Sequence, residues 1–355
     1  MTAVHHFVPT YEPGAVGGHI VEMQRLCREQ GWESEVFTEH VRGLPGRDFR
    51  EYGRQVPARP DDVLVYHVAI GSPVADLVLA RPERLVLDHH NLTPVPFFAP
   101  WEPWMIHGLA WGRAQLAALA ERAVLGIADS SYNESELREL GCARTAVAPI
   151  LLDLDQLDRD VAPDRVASLA TAGSTWLFVG RIAPNKCHHD LIKAFAVYRR
   201  VYDGDAVLRI VGGSASDRYV EALGDLVRAL QLDAAVAFTG GVSDADLTAH
   251  YRAADVYVSV SEHEGFCVPL LEAMHNGVPV VAFGSTAVPE TLGSGGLCLP
   301  LKDPGTVAAA VHRVVSDDTA RAALVTAGRA HLRSFSLPVT RQRMLDALAP
   351  VVGGA

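Results

Sequence analysis

The chain has no CxxC pair. Its five cysteines, Cys27, Cys142, Cys187, Cys267 and Cys298, are odd in number and scattered. That pattern excludes a zinc knuckle or a thioredoxin-type redox centre and predicts small reduced thiols. No uninterrupted apolar run reaches the ~18–20 residues of a membrane-spanning helix. Met1-Thr2-Ala3-Val4-His5-His6 lacks the basic stretch and apolar core of a secretion signal, so a soluble cytosolic chain is expected. Cations are in deficit: 31 Lys and Arg face 42 Asp and Glu, a formal charge of −11. Binding nucleic acid by bulk phosphate neutralisation is thereby disfavoured. The absence of GxxxxGK(S/T) disfavours a P-loop nucleotidase.

What the chain does have is apolar residues, 49% of 355, enough to fill the cores of two domains. Short apolar runs alternate with helical patterns. Val4–Val8 reads as a strand, Tyr11–Gly18 as a Gly/Pro-rich loop, and His19–Gln30 as a helix closed by Gly31. Glu35–Thr38, Asp62–Tyr66 and Arg84–Asp88 are further strands. A second block repeats the pattern: strand Thr175–Val179, a helix over about His188–Val201, then strands Ala206–Val211, Val236–Thr239, Val256–Val260 and Pro279–Phe283. An Asp-rich stretch, Asp153–Asp164, reads as the linker. The expected fold is α/β, two doubly wound Rossmann-like domains facing across a cleft, spanning residues 1–152 and 153–335. Ligands of such sheets sit at the carboxyl ends of the strands.

Four segments could carry chemistry. In Gly180-Arg181-Ile182-Ala183-Pro184-Asn185-Lys186, two cations five residues apart follow a buried strand. Both can converge on one anion, the guanidinium as a planar fork and the ammonium as a point charge; the plain alternative is a solvated loop. In Glu262-His263-Glu264-Gly265-Phe266-Cys267-Val268-Pro269-Leu270-Leu271-Glu272, Pro269 suits a first helical position and places Glu272 in the first turn. Carboxylates there suit sugar hydroxyls, glycine permits close approach, and Phe266 reads as an exposed aromatic. Gly17-Gly18, ahead of the first helix, could let backbone approach a diphosphate, although the dinucleotide spacing G-x-G-x-x-G is missing. In Asp88-His89-His90-Asn91, neighbouring strand residues point to opposite faces, so the two histidines cannot chelate one metal together. The same reasoning disposes of His5-His6.

Together these segments resemble the retaining glycosyltransferases of family 4, which have the GT-B fold. Phe178-Val179-Gly180-Arg181 with Lys186 resembles the family's diphosphate loop. Ala254-Asp255-Val256-Tyr257-Val258 through Glu264-Gly265-Phe266 to Glu272-Ala273-Met274, then Gly277–Val281, resembles its E-x7-E region. The first domain matches more loosely, through Gly17-Gly18, His90 before Asn91, and Ser130-Ser131 with Leu137.

The resemblance implies transfer of a hexose-type sugar from a nucleotide-diphosphate donor, UDP- or GDP-linked, with retention. The acceptor would be a hydroxyl of a glycan, a lipid-linked molecule or a small molecule. Arg181 and Lys186 would hold the diphosphate, with Gly17 and Gly18 approaching it. Glu264, with the backbone of Gly265, Phe266, Cys267 and Val268, would hold the sugar. Glu272 would take the ribose, backbone near Val242 the base, and His90 the sugar's far edge. A front-face reaction without metal or other cofactor is implied. His5-His6, His67 and His89–Pro94 would concern the acceptor, and residues 336–355 would form a helix packing back on the first domain. A nucleotide-sugar epimerase or hydrolase, and a two-lobed sugar-binding protein, are the alternatives. Arg42, Arg47, Arg50, Arg54 and Arg59 could form a patch for peripheral membrane contact or a phosphorylated acceptor.

Overall fold

The computed structural model describes residues 2–41, 49–52, 59–158 and 161–353. Arg42, Arg47 and Arg54 of the basic cluster, Arg159 and Asp160 of the expected linker, and the last two residues lie outside it. The chain divides into two compact units. Unit 1 comprises Met1–Ala99, Pro103–Leu152 and Phe335–Ala355; unit 2 comprises Pro100–Glu102 and Asp153–Ser334. No helix among the described residues is long and apolar enough to cross a membrane.

Among the described residues, unit 1 is built on seven strands: β1 (Val4–Tyr11), β2 (Val36–Val41), β3 (Phe49–Glu51), β4 (Val63–Val68), β5 (Arg84–His89), β6 (Leu125–Ala128) and β7 (Thr145–Val147). Their order is 3-2-1-4-5-6-7, and every pairing is parallel. A parallel sheet is covered on both faces, which is why all six residues of β4 are buried. The C-terminal helix Leu337–Val352 belongs to this unit, with Met344 and Leu348 in one core with Val4, Met23, Val65, Val86 and Ile127. Arg341 pins it to Glu22 at 2.5 Å.

Unit 2 has six strands: β8 (Thr175–Val179), β9 (Val207–Val211), β10 (Val236–Gly240), β11 (Val256–Ser259), β12 (Val280–Phe283) and β13 (Leu297–Leu299). The order is 10-9-8-11-12-13, again all parallel. Trp176 and Phe178 of β8 pack with Leu191 and Phe195 of the helix His188–Val201, and with Val307 and Val311 of the helix Pro304–Ser316. Each such side chain contributes roughly 1.5–3 kcal/mol on burial.

Both sheets reverse their winding next to the first strand, between β1 and β4 and between β8 and β11. The carboxyl ends of strands at such a reversal are where this architecture binds ligands. Four short strands, β3, β6, β7 and β13, were not anticipated from the sequence.

Candidate functional site

In unit 2, β8 and β11 lie side by side, so the loops leaving their carboxyl ends meet at the reversal. Gly180 and Arg181 follow β8. The chain is held there by Gly212, where a Cβ would lie 2.1 Å from the Gly180 carbonyl oxygen, so no other residue fits. A short turn, Pro184–Lys186, then leads through Cys187, in the left-handed conformation (φ 53°), into the helix His188–Val201. Asn185 ties this loop to the one after β11. Its side-chain amide donates to the His263 carbonyl at 2.9 Å, and its own carbonyl accepts from the Glu262 amide at 2.9 Å.

That clamp brings Lys186 against Glu264. Their ammonium and carboxylate form an ion pair in which Glu264 is buried and Lys186 partly open. Glu264 is fixed from behind by Thr286, whose hydroxyl accepts from the Glu264 amide at 2.9 Å and donates to its carbonyl at 2.9 Å. Arg181 is exposed and, among the described residues, has no ion-pair partner. An exposed guanidinium and a partly open ammonium in one loop leave cationic capacity for an anionic ligand.

Gly265 is half-buried, but Phe266 is buried at 5% exposure, not the exposed ring expected from sequence. The loop turns it inward, as the large apolar area of a phenyl ring favours. Cys267 is also buried and takes the left-handed N-cap position (φ 75°) of the helix Val268–His275. That helix begins one residue before Pro269, so Glu272 falls in its second turn and not its first. Gly277 (φ 70°) follows its C-cap, as anticipated. Glu272 accepts from the buried Tyr251 hydroxyl at 2.7 Å, and burial pushes its carboxyl above the usual range. Val242 is half-buried in the loop after β10.

In unit 1 the helix Ala15–Glu29 starts earlier than expected, so Gly17 and Gly18 lie in its first turn, not ahead of it. A Cβ on Gly17 would sit 2.1 Å from the Glu12 carbonyl oxygen, whereas Gly18 is open. Its N-cap, Gly14, has no capping side chain, and no acid stands in the first turn. The first amides therefore retain donor capacity for an anion.

His90 follows β5 and is almost fully buried. Its Nδ1 bonds Asp129, which follows β6, at 3.0 Å, and its Nε2 lies 3.1 Å from His67 Nδ1. His89 points the other way, to Glu136 at 2.6 Å, as strand alternation requires. Of the basic cluster, Arg50 is spent on Glu35 at 2.6 Å. The sequence reading passed over Asn185, Tyr251, Thr286 and Asp129. Asn185, Thr286 and Asp129 are polar residues just past a strand end, a position that could have marked them.

The family model described as "Glycosyl transferases group 1" matches residues 165–331. A D-inositol 3-phosphate glycosyltransferase 2 of Catenulispora acidiphila is 30% identical over 359 residues, covering 86% of this chain and 84% of the relative. A D-inositol 3-phosphate glycosyltransferase of Kineococcus radiotolerans is 28% identical, covering 96% and 92%. Among solved structures, the sucrose-phosphate synthase of Thermosynechococcus elongatus superposes with a TM-score of 0.78 at 19% identity, covering 100% of both chains. That likeness shows the GT-B fold.

Proposed function

The chain belongs to the group 1 glycosyl transferases, and we propose that it moves a hexose from a UDP- or GDP-sugar to an acceptor hydroxyl with retention of anomeric configuration. The observation that carries this reading is the Lys186–Glu264 ion pair at the β8/β11 reversal, with the exposed Arg181 in the same loop after β8. Two cations neutralise the diphosphate and stabilise the charge that builds on it as the glycosidic bond breaks, a preorganised electrostatic role. Lys186 exchanges its Glu264 contact for phosphate oxygen when donor binds, which frees Glu264 for sugar hydroxyls. Glu272, set by Tyr251, accepts from the ribose, and backbone near Val242 meets the base. In unit 1, taken by itself, the uncapped first helical turn with Gly18 open supports phosphate approach, and His90 just past β5 is a further functional residue.

Among the described residues Glu264 pairs with Lys186 and with no second carboxylate, which favours a front-face reaction in which a donor phosphate oxygen takes the acceptor's proton. The two cations support catalysis without a divalent ion. The acceptor class favoured by the relatives' names is a phosphorylated polyol.

The test is a donor panel of UDP-, GDP-, ADP- and dTDP-sugars, with inositol phosphate among the acceptors and product stereochemistry read by NMR. An α-product from an α-donor supports the reading; an inverted product rejects retention, and no turnover with any donor rejects the assignment.

A further inference from the structure

His6, the third residue of β1, and the carboxyl ends of β4, β5 and β6 bring together an unusual buried set: His6, His67, Asp88, His90 and Asp129, joined by His19 from the helix Ala15–Glu29. One ligand atom from each of His19, His67, Asp88 and His90 lies within 4.8 Å of the others, close enough to suggest a metal. The geometry is nevertheless that of hydrogen bonds. The Leu151 amide donates to His19 Nδ1 at 2.9 Å, so His19 Nε2 carries the proton and gives it to Asp88 Oδ2 at 2.8 Å. A protonated nitrogen is not a ligand. The His67 and His90 rings are 6° from coplanar, with centroids 5.4 Å and nitrogens 3.1 Å apart. The excess is one ring width, so the nitrogens lie on the line between the ring centres. A metal on that line would sit well inside the ~2.0–2.1 Å of a zinc–nitrogen bond; a shared proton fits it. His6 and His67 repeat the pattern at 3.1 Å.

The charges demand a proton. Asp88 and Asp129 are both buried, and neither has a Lys or Arg partner among the described residues. Two buried carboxylates at the ends of interior strands are costly, and among the described residues the ionisable groups paired with them are the imidazoles of His19, His67 and His90. We propose that Asp88 and Asp129 hold His90 as an imidazolium, backed by His67 and His6, so that the ring just past β5 is fixed in orientation and in charge state within a cluster whose net charge is negative. Asp129 and Asp88 are then positioning residues for the transfer reaction. This rests on the reading that His90 is a functional residue of unit 1, and it gives His90 an electrostatic role, since neither ring nitrogen is left to act as a base.

The groups facing His90 are Asp88 from β5, Asp129 beyond β6, His67 from β4 and His19 from the helix. Burial alone would lower its pKa, but Asp129 and then Asp88 raise it to about 9. Burial lowers His67 to about 4 and drives His6 well down. One proton therefore belongs to His90, and its neighbours stay neutral.

The experiment is a pH titration of the histidine ring nitrogens by NMR in the full chain, with His90 assigned through His90→Gln. The proposal expects imidazolium signals for His90 throughout pH 6–8 while His67 and His6 are neutral. Asp129→Asn should lower the His90 midpoint by at least one pH unit. It should cut kcat at least ten-fold at pH 8, and less at pH 6, with donor KM held; Asp129→Glu should recover most of the loss. A neutral His90 at pH 7, one equivalent of transition metal carried by the purified protein, or an unaltered pH profile in Asp129→Asn would each overturn it. The titration needs no donor: an imidazolium in a protein that transfers no sugar upholds the clamp and rejects the functional reading instead.

Discussion

Lys186 and Glu264 stand 78 residues apart in sequence and form an ion pair at the reversal of the second sheet. The carboxylate is the more buried partner, so the pair cannot be cut on one side without stranding a charge.

Lys186→Ala is therefore expected to do two things. Turnover should fall by at least about 100-fold, because a donor-phosphate contact made in the transition state is lost. The melting temperature should fall as well, since removing one member of a buried pair costs about 3–5 kcal/mol. Adding Glu264→Gln should restore the melting temperature and leave turnover low. Full activity in the single variant would refute the diphosphate assignment.

Arg181→Ala should separate the same two effects cleanly. The side chain is exposed, so stability should move by no more than about 0.5 kcal/mol. The donor kcat/KM should drop by one to two orders of magnitude, and a steady-state assay alongside a thermal melt checks both.

The two glycines of the first helical turn should respond oppositely. Gly17→Ala forces a methyl to 2.1 Å from the Glu12 carbonyl oxygen and should destabilise the fold markedly. Gly18→Ala meets nothing within 4 Å and should stabilise the helix by about 0.5–1 kcal/mol. If phosphate approaches this turn, Gly18→Ala should still raise the donor KM; denaturant melts and kinetics on both variants decide.

Tyr251→Phe removes the hydroxyl that Glu272 accepts from at 2.7 Å. Already raised by burial, the Glu272 carboxyl should shift further up. Donor KM should rise several-fold with kcat nearly unchanged. The preference for a ribonucleotide over a deoxyribonucleotide product inhibitor should shrink in parallel.

Stability should be asymmetric in pH. Burial lowers His67 and His89 to about 4 and His188 to about 3, against roughly 6.5 in an unfolded chain. As pH falls below 6.5 the unfolded chain takes up protons that the folded one refuses, so each withdraws up to about 1.4 kcal/mol per pH unit. His90 acts the other way: raised to about 9, its contribution is whole below 6.5 and is lost as pH climbs through 9. Urea melts from pH 4.5 to 9 should show a maximum near neutrality with the steeper limb on the acid side. A steady rise into alkali would contradict the assignments.

The legible parts of the molecule were those in which cause and effect are close in sequence. The strand Thr175–Val179 and the helix His188–Val201 fall where apolar runs and periodicity predict them. The loop carrying Arg181 and Lys186 is marked by its own residues. The inward turn of Phe266 and the early start of the helix at Ala15 were not legible. Each depends on packing partners that a local pattern does not name.

By itself the sequence determined the alternation of strands and helices, the chain's place among nucleotide-sugar enzymes, and the segments that carry the cations and carboxylates. Only the tertiary structure decided who meets whom: Thr286 behind Glu264, Tyr251 on Glu272, and His6, His67, His90 and Asp129 in one buried line. The reason is the parallel sheet. Its neighbouring strands can be joined only through long crossovers, so these touching residues stand 21 to 61 positions apart, and no short motif records their meeting.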